Sequence, residues 1–279
     1  MPVMSIIACR ILEEEIFHVI SSENAFDHLF VTDTKEVHGL VRRLQTNSIP
    51  HTSVPSERIP DMIRLTKGSC KHNIIRRICK RYSTKEELIV VINILELGLH
   101  RDLTLLRRGV YTAVEEMSAY SDGVLLFYGL CGNSLQNIEN DLSHILCPIY
   151  LLRDGENNRV DDCISIALGG NRKYEEAFES CRGKGTLFFT PMWASSWKDM
   201  DAPANKQEEM TTIHDLFKRH HIARIVKIEM GTRYDTSFEH NVNKFAEMSG
   251  LEIISMPGTA EIVERCYVDA KNDIISKCD

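Results

Sequence analysis

Short runs of apolar residues recur along the chain and predict buried β-strands. Most of these runs are continuously apolar and do not alternate with polar positions, which is typical of strands covered on both faces. The predicted strands span residues 3–8, 123–128, 148–152, 186–190, 223–229 and 251–255.

Apolar residues at helical spacing fill several segments between these runs. The spacing predicts helices over residues 37–44, 103–117, 134–145 and 238–248. Asp102 precedes the second of these helices as an N-cap, and Gly250 follows the last one at the position where glycine ends a helix.

Strands that alternate with helices predict an α/β fold with a mainly parallel sheet flanked by helices, and this pattern is compatible with two Rossmann-like halves. We expect an N-terminal α/β part over residues 1–120, mostly helical after its first strand, and a Rossmann-like part over residues 121–279. The two parts are expected to form one compact unit.

The secondary structure of residues 47–97 is harder to predict. A capping box over residues 83–86 favours a helix over residues 87–97, although residues 89–92 have the β-branched density of a strand. Residues 47–60 are rich in Pro, Ser and Thr and are predicted as a loop. Residues 70–82 read as a basic helix with a solvated face, or with a surface for an acidic partner.

The charge balance and the apolar content narrow the classes of function. The chain has 279 residues and carries 33 Lys and Arg against 40 Asp and Glu, a net charge of −7, so we expect no nucleic acid as partner. No apolar stretch approaches the roughly 18 residues of a membrane span, and the first residues lack the pattern of a signal peptide. We therefore expect a cytoplasmic protein, with no membrane partner, whose thiols stay reduced.

Three of the nine cysteines lie where predicted strands end or helices begin. Cys9 follows the first strand, Cys131 lies in a glycine-flanked turn after the second, and Cys163 lies at the predicted start of a helix. Ligands of parallel sheets bind at the carboxyl ends of the strands. We expect thiols there to ionise readily because helix N-termini favour negative charge, and burial as small apolar side chains is the alternative.

Five sequence segments carry a resemblance to a known family. They are residues 8–12 (ACRIL), 97–100 (LGLH), 125–133 (LLFYGLCGN), 162–170 (DCISIALGG) and 190–193 (TPMW). Through nearly its whole length the chain resembles the DUF1638 family of anaerobic archaea and bacteria, and YGLCGN is the most specific segment. The resemblance marks Cys9, Cys131 and Cys163 as the family's cysteines. It also implies an association with corrinoid-dependent methyl transfer, in which a corrinoid protein or a methyltransferase would be the partner.

One segment departs from the family's pattern. The family usually has a His-Asp-Cys triplet preceded by Pro-Arg, whereas residues 159–163 read RVDDC here. Asp161 therefore stands where the family has His. A carboxylate could still bind a metal, but it would not shuttle protons near neutral pH as an imidazole does.

The three cysteines are candidate ligands of one metal centre. Soft sulfur ligands select zinc, Cu(I) or an iron–sulfur cluster, and three protein ligands leave one coordination position open. We expect Cys9, Cys131 and Cys163 to hold a [4Fe–4S] cluster or zinc. The cluster is slightly favoured because the sequence places no histidine close to them.

Further candidates lie near the same predicted edge of the sheet. Cys131 and Glu229 are candidate catalytic residues, and Glu229 could act as a base or ligand or form a structural ion pair. Trp193 and Trp197 flank a predicted loop that could cover the site, and packing or a partner contact is the alternative role for these tryptophans. Glycine-rich turns could present backbone N–H groups to a cofactor, and Asn133 could instead cap the following helix; the candidate cofactor-binding residues are Gly129, Gly132, Asn133, Gly169 and Gly170.

Three functions are compatible with these features. The first is a cytoplasmic metalloprotein of anaerobic one-carbon metabolism, which as an enzyme would be a methyl transferase or an iron–sulfur-dependent enzyme. The second is a metal-free accessory module that binds a small ligand or a corrinoid, and the third is a transferase with a Cys131 nucleophile. A homodimer is compatible with each of them.

Overall fold

A computed structural model of the protein describes residues 1–23, 26–71, 88–200, 217–231 and 237–278. These residues form two parallel β-sheets flanked by helices. The strands are β1 (Val3–Cys9), β2 (His28–Thr32), β3 (Thr52–Val54), β4 (Ile89–Leu95), β5 (Gly123–Phe127), β6 (Ile149–Leu151), β7 (Gly185–Phe189), β8 (Ile222–Glu229) and β9 (Glu252–Pro257).

Helices connect most of the strands. None of those in the described part of the chain combines the length and the apolar character needed to cross a membrane. They are α1 (Glu13–Glu23), α2 (His38–Thr46), α3 (Ile59–Lys71), α4 (Leu103–Ser118), α5 (Ile138–Asp141), α6 (Cys163–Leu168), α7 (Asn171–Ser180), α8 (Pro191–Met200), α9 (Phe238–Ser249) and α10 (Glu261–Cys278).

The larger sheet is built around β1 and has the strand order β3-β2-β4-β1-β5-β6. β1 pairs with β4 on one side, from Val3 opposite Ile89 to Cys9 opposite Leu95, and with β5 on the other. Because β1 has a strand on each side and helices on both faces, all seven of its residues are buried. This full coverage explains why its sequence is apolar without alternation.

The two faces of the larger sheet carry different helices. Met4, Ile6 and Ala8 of β1 pack in one core cluster with residues of α1, α2 and α10. Val3, Ile7 and Cys9 point to the other face and pack with residues of α3 and α4. Side chains of a strand alternate between faces, so β1 contributes to both cores and fixes the two helix layers relative to each other.

The smaller sheet has the order β7-β8-β9 and is also parallel. Its core includes Phe189, Phe245 and Leu251, and Trp197 of α8 packs edge-on against Phe245 with ring centroids 4.9 Å apart. α8 also contacts the segments that follow β1 and β4, so it joins the smaller sheet to the edge of the larger one.

The predicted fold class is confirmed. All strand pairs of the two sheets are parallel, and each of the six predicted runs forms a strand. The helices predicted from residues 37, 103 and 238 are also present. Asp102 caps α4 by accepting hydrogen bonds from two backbone N–H groups, and Gly250 ends α9 with φ 70°.

The prediction of a helix over residues 87–97 was wrong. Residues 89–95 form β4, which lies between β1 and β2, and its residues 89–92 are fully buried. Pairing on both sides favours β-branched residues, and these contacts are distant in sequence. The capping box at residues 83–86 lies outside the described residues, and so do residues 72–82 of the predicted basic helix.

Three other predictions need correction. The presumed loop over residues 47–60 contains β3, a short strand at the edge of the sheet, and β2 was missed altogether. Only Ile138–Asp141 is α-helical within residues 134–145, because much of this segment forms turns with i to i+3 hydrogen bonds. Trp193 and Trp197 lie on α8 and not on a loop.

Candidate functional site

A pocket of about 410 Å³ lies at the carboxyl ends of β1, β4 and β5. The chain leaves β1 towards α1 on one face of the sheet, whereas it leaves β4 towards α4 on the other. Neighbouring strands whose connections diverge in this way open a crevice between them, which is the usual ligand site of such sheets. β7 and Trp193 of α8 form the opposite wall of the pocket.

Cys9 lies at the base of the pocket as the last residue of β1. Its backbone is still extended, and its Sγ accepts a hydrogen bond of 3.4 Å from Ile11 N at the start of the following 3-10 turn. The thiol also contacts His100, with 3.1 Å between Cys9 Sγ and His100 Nε2. Cys9 is therefore buried and held from two sides.

His100 is a site residue that the sequence analysis did not single out. It lies in the 3-10 segment Leu97–Arg101 that follows β4, and its ring stacks on Tyr128 with centroids 6.3 Å apart. Burial lowers its pKa, so the imidazole is neutral at neutral pH. His100 could have been identified from its place directly after a strand, but residues 87–97 were predicted as a helix.

The loops that carry Cys131 and Cys163 lie against each other. Leu130 N donates a hydrogen bond of 2.9 Å to Val160 O, and Cys131 N donates one of 2.7 Å to Asp161 O. A side chain at Gly129 would meet the backbone of the second loop at 2.6 Å, so the close approach requires glycine there. These contacts bring the two cysteines together although 32 positions separate them in the sequence.

Asp162 and Cys163 begin α6. Asp162 Oδ1 accepts hydrogen bonds from Ile164 N and Ser165 N, which makes Asp162 the N-cap and Cys163 the first helical residue. The predicted placement of Cys163 at a helix start is therefore confirmed. All three cysteines of the predicted metal set line the pocket, together with Asp162, Gly129 and Gly132.

The expectation that these thiols ionise readily was wrong. Burial raises the pKa of Cys131 to about 12, with a further contribution from the negative charge of Asp162. Burial also raises the pKa of Cys9 and Cys163 well above the usual range. Desolvation penalises the thiolate more than the short helix α6 favours it, so all three thiols are protonated in the metal-free protein.

The three thiols influence one another electrostatically. A thiolate at Cys131 raises the pKa of Cys9, and thiolates at Cys9 and Cys131 raise the pKa of Cys163. Among the residues that the structure describes, no three His, Cys, Asp or Glu side chains are already arranged to hold a metal ion. A metal bound by all three thiols therefore requires movement of their side chains and loss of their protons.

The remaining predicted site residues lie elsewhere. Glu229 does not line the pocket, and Lys227 lowers its pKa through a contact of 3.0 Å between Lys227 Nζ and Glu229 Oε1. Asp161 also does not line it. Gly169 ends α6 with φ 89°, Gly170 packs against Asp154, and Asn133 is exposed in a turn with φ 66°.

A comparison with protein families identifies a match over much of the chain. The family described as "Protein of unknown function (DUF1638)" matches residues 94–267, a range that includes His100, Cys131 and Cys163, while Cys9 precedes it. No curated protein and no solved structure matches the chain significantly. Since the matched range covers more than half of the sequence, the chain belongs to the DUF1638 family.

Proposed function

We propose that the protein binds a soft metal centre, either zinc or an iron–sulfur cluster, through Cys9, Cys131 and Cys163. The observation that supports this most is the meeting of three thiols and one imidazole in a single pocket. These four side chains come from four separate segments of the chain, at the end of β1 and after β4, β5 and β6. Sulfur and imidazole nitrogen are the ligands that zinc and iron–sulfur clusters prefer.

The electrostatics of the pocket agree with a cationic guest. Among the described residues that line it there is no Lys or Arg, and Asp162 adds a negative charge. Burial keeps the pKa values of the three thiols high without a cation, and thiolates at neighbouring cysteines raise those of Cys9 and Cys163 further. A bound metal supplies the positive charge that favours the thiolates, so metal binding and thiol deprotonation would occur together.

His100 changes the balance between the two kinds of centre. The preference for a cluster depended on the lack of a nearby histidine, and the structure places His100 Nε2 3.1 Å from Cys9 Sγ. Three cysteines and one histidine form a suitable ligand set for zinc, and three cysteines form a suitable ligand set for a cluster. If His100 contacts only the Cys9 sulfur and does not bind the metal itself, one coordination position of the metal would stay open to a small molecule.

The metabolic setting is part of the same proposal. We carry forward a cytoplasmic role in anaerobic one-carbon metabolism, with a corrinoid protein or a methyltransferase as partner, because the family resemblance implies that association. An open metal position in a pocket would suit a transferase that activates a thiol or another small ligand. Assays with purified candidate partners test this wider role separately from the metal.

Metal content tests the central proposal directly. Protein purified without oxygen, or reconstituted with zinc or with iron and sulfide, is expected to hold close to one metal centre per chain by elemental analysis and visible absorption. Changing Cys9, Cys131 or Cys163 to Ser should remove it. The matched control is Cys147→Ser, because Cys147 is a partly buried thiol outside the pocket. Wild-type protein that stays metal-free after reconstitution, or equal losses in the control, would overturn the proposal.

The contact between Cys9 and His100 favours thiol-based group transfer as a second candidate function. A neutral imidazole at 3.1 Å is a suitable base for a thiol. The high pKa of Cys9 counts against it in the free protein. Alkylation at pH 7 that modifies Cys9 or Cys131 selectively, in protein shown to be metal-free, would support this function over metal binding.

A further inference from the structure

One wall of the pocket is formed by the outer edge of β7. The four consecutive residues 186–189 all line it. Side chains of a strand alternate between its two faces, so a cavity that touches four residues in a row lies beside the strand edge. The pocket therefore meets the backbone of β7 and not merely one row of side chains.

The backbone of this edge has peptide groups without partners in the described part of the chain. β7 is the outer strand of the smaller sheet and pairs with β8 on its other side. Successive residues of a strand direct their N–H and C=O groups to opposite edges, so half of residues 186–189 direct theirs away from β8. Backbone hydrogen bonds outside the sheets and helices of the described residues do not involve them.

Aromatic rings form much of the remaining lining. His100 stacks on Tyr128 at an interplanar angle of 16°, and Phe189 stacks on Trp193 at 22°. Asp162 is the only carboxylate among the described lining residues, and no cationic side chain accompanies it. The pocket thus disfavours anions, and the partly exposed rings of His100 and Trp193 offer flat surfaces to an uncharged ligand.

We propose that the pocket binds an uncharged planar heterocycle of the lactam type. The adjacent N–H and C=O of such a ring would pair with the free edge of β7 while its faces lie against the aromatic side chains. The inference rests on the proposed function in placing this ligand beside the thiols that would hold the metal. It thereby names the class of small molecule that the centre would act on.

The size of the cavity supports a small molecule over an extended peptide. A volume of about 410 Å³ lies in the range of small-ligand pockets, roughly 300–1,000 Å³. A peptide could also pair with a strand edge, so a short peptide serves as a competing ligand in the test.

Calorimetric titration with a set of matched probes tests the ligand class. Quinolin-2(1H)-one has both the donor and the acceptor, 1-methylquinolin-2-one lacks the donor, and quinoline-2-carboxylate is anionic. We expect the first to bind roughly fivefold more tightly than the second, because a lost hydrogen bond costs about 1 kcal/mol, and the anion to bind more weakly still. Equal affinities, no binding, tighter binding of the anion, or tighter binding of acetyl-tetraalanine amide would each overturn the proposal.

Two variants of β7 locate the contact. Proline at Leu187 or at Phe188 removes one backbone N–H, and these two neighbouring groups point to opposite edges of the strand. The variant that loses the N–H facing β8 should be destabilised, because that group takes part in the sheet. The variant that loses the N–H facing the pocket should keep the stability of the wild type and lose the preference for the lactam. Phe178→Ala is the control, because Phe178 is 61% exposed and lies outside the pocket.

Metal content measured on the same samples separates the two proposals. Lactam binding by protein that stays metal-free after reconstitution would contradict the metal site alone. A full metal content without any preference for the lactam would contradict the ligand class alone.

Discussion

The contact between the loops of Cys131 and Cys163 can be broken by a single methyl group at Gly129. A Cβ there would lie 2.6 Å from both the Cα and the N of Asp162 and 2.8 Å from Asp161 C. Cβ atoms do not approach other heavy atoms so closely, and backbone atoms cannot rotate away as a side chain end can. Gly129→Ala must therefore push the two loops apart.

The expected cost follows from the contacts that the displacement disturbs. Overpacking a tight site costs typically 1–3 kcal/mol. The two backbone hydrogen bonds between the loops, Leu130 N to Val160 O and Cys131 N to Asp161 O, would be weakened as well, at about 1 kcal/mol each. We expect Gly129→Ala to lower the free energy of unfolding by about 3 kcal/mol.

Gly132→Ala is the matched control in the same turn. Gly132 has φ +64°, which costs an alanine about 1 kcal/mol in backbone strain. The nearest atoms to its Cβ are the methyl groups of Leu103 at 3.3 and 3.4 Å, and Leu103 is half exposed and can move. The two variants add the same methyl group but only one of them separates the loops.

Urea unfolding followed by circular dichroism measures the difference, which is expected to be about 2 kcal/mol. Under native conditions, Gly129→Ala should also lose zinc or iron after reconstitution, whereas Gly132→Ala should retain it. Equal destabilisation of the two variants would refute the steric reasoning. A folded Gly129→Ala protein with a full metal content would show that the metal does not need the close approach of the loops.

Three other changes test separate parts of the structure. Burial raises the pKa of Glu15 from 4.5 to about 8, so the folded state keeps a proton that the unfolded chain loses above pH 4.5. The free energy of unfolding should therefore fall as the pH rises from about 4.5 to about 8. Glu15→Gln should reduce this fall in urea titrations, and an unchanged pH profile would contradict the assignment of the fall to Glu15. His100→Ala should weaken zinc binding roughly 10- to 100-fold in competition with a chromophoric chelator, as loss of a ligand or of its supporting contact does, and unchanged affinity would exclude both roles. Asp102→Ala should destabilise the protein by about 1 kcal/mol in thermal unfolding, and Asp102→Asn should not, because only Ala removes the cap of α4.

β1 could be predicted with ease because its sequence reflects burial on both faces. β1 lies between β4 and β5 and under two helix layers, so each of its positions is apolar and the pattern is unmistakable. β3 has three residues, of which two are exposed, and its sequence carries no comparable signal. Local sequence thus identifies β1 from its apolar surroundings, and it fails at β3, which is short and largely exposed.

β4 shows why one error in secondary structure concealed a site residue. Its residues 89–92 are fully buried between β1 and β2, and those partners lie more than 50 residues away in the sequence. A local capping signal outweighed them in the prediction. With a helix drawn over residues 87–97, LGLH followed no strand, and His100 could not be assigned to the edge where Cys9 lies.

The protonation of the three pocket cysteines depends on the complete fold and cannot be predicted from their positions in the sequence. A cysteine at a strand end or a helix start looks like a ready thiolate, yet burial and Asp162 raise the pKa of Cys131 to about 12. A free nucleophile with such a pKa would be almost wholly protonated at neutral pH. Three such thiols in one pocket would become thiolates only with a cation beside them, so the high pKa that weakens catalysis by a lone cysteine is compatible with the proposed metal centre.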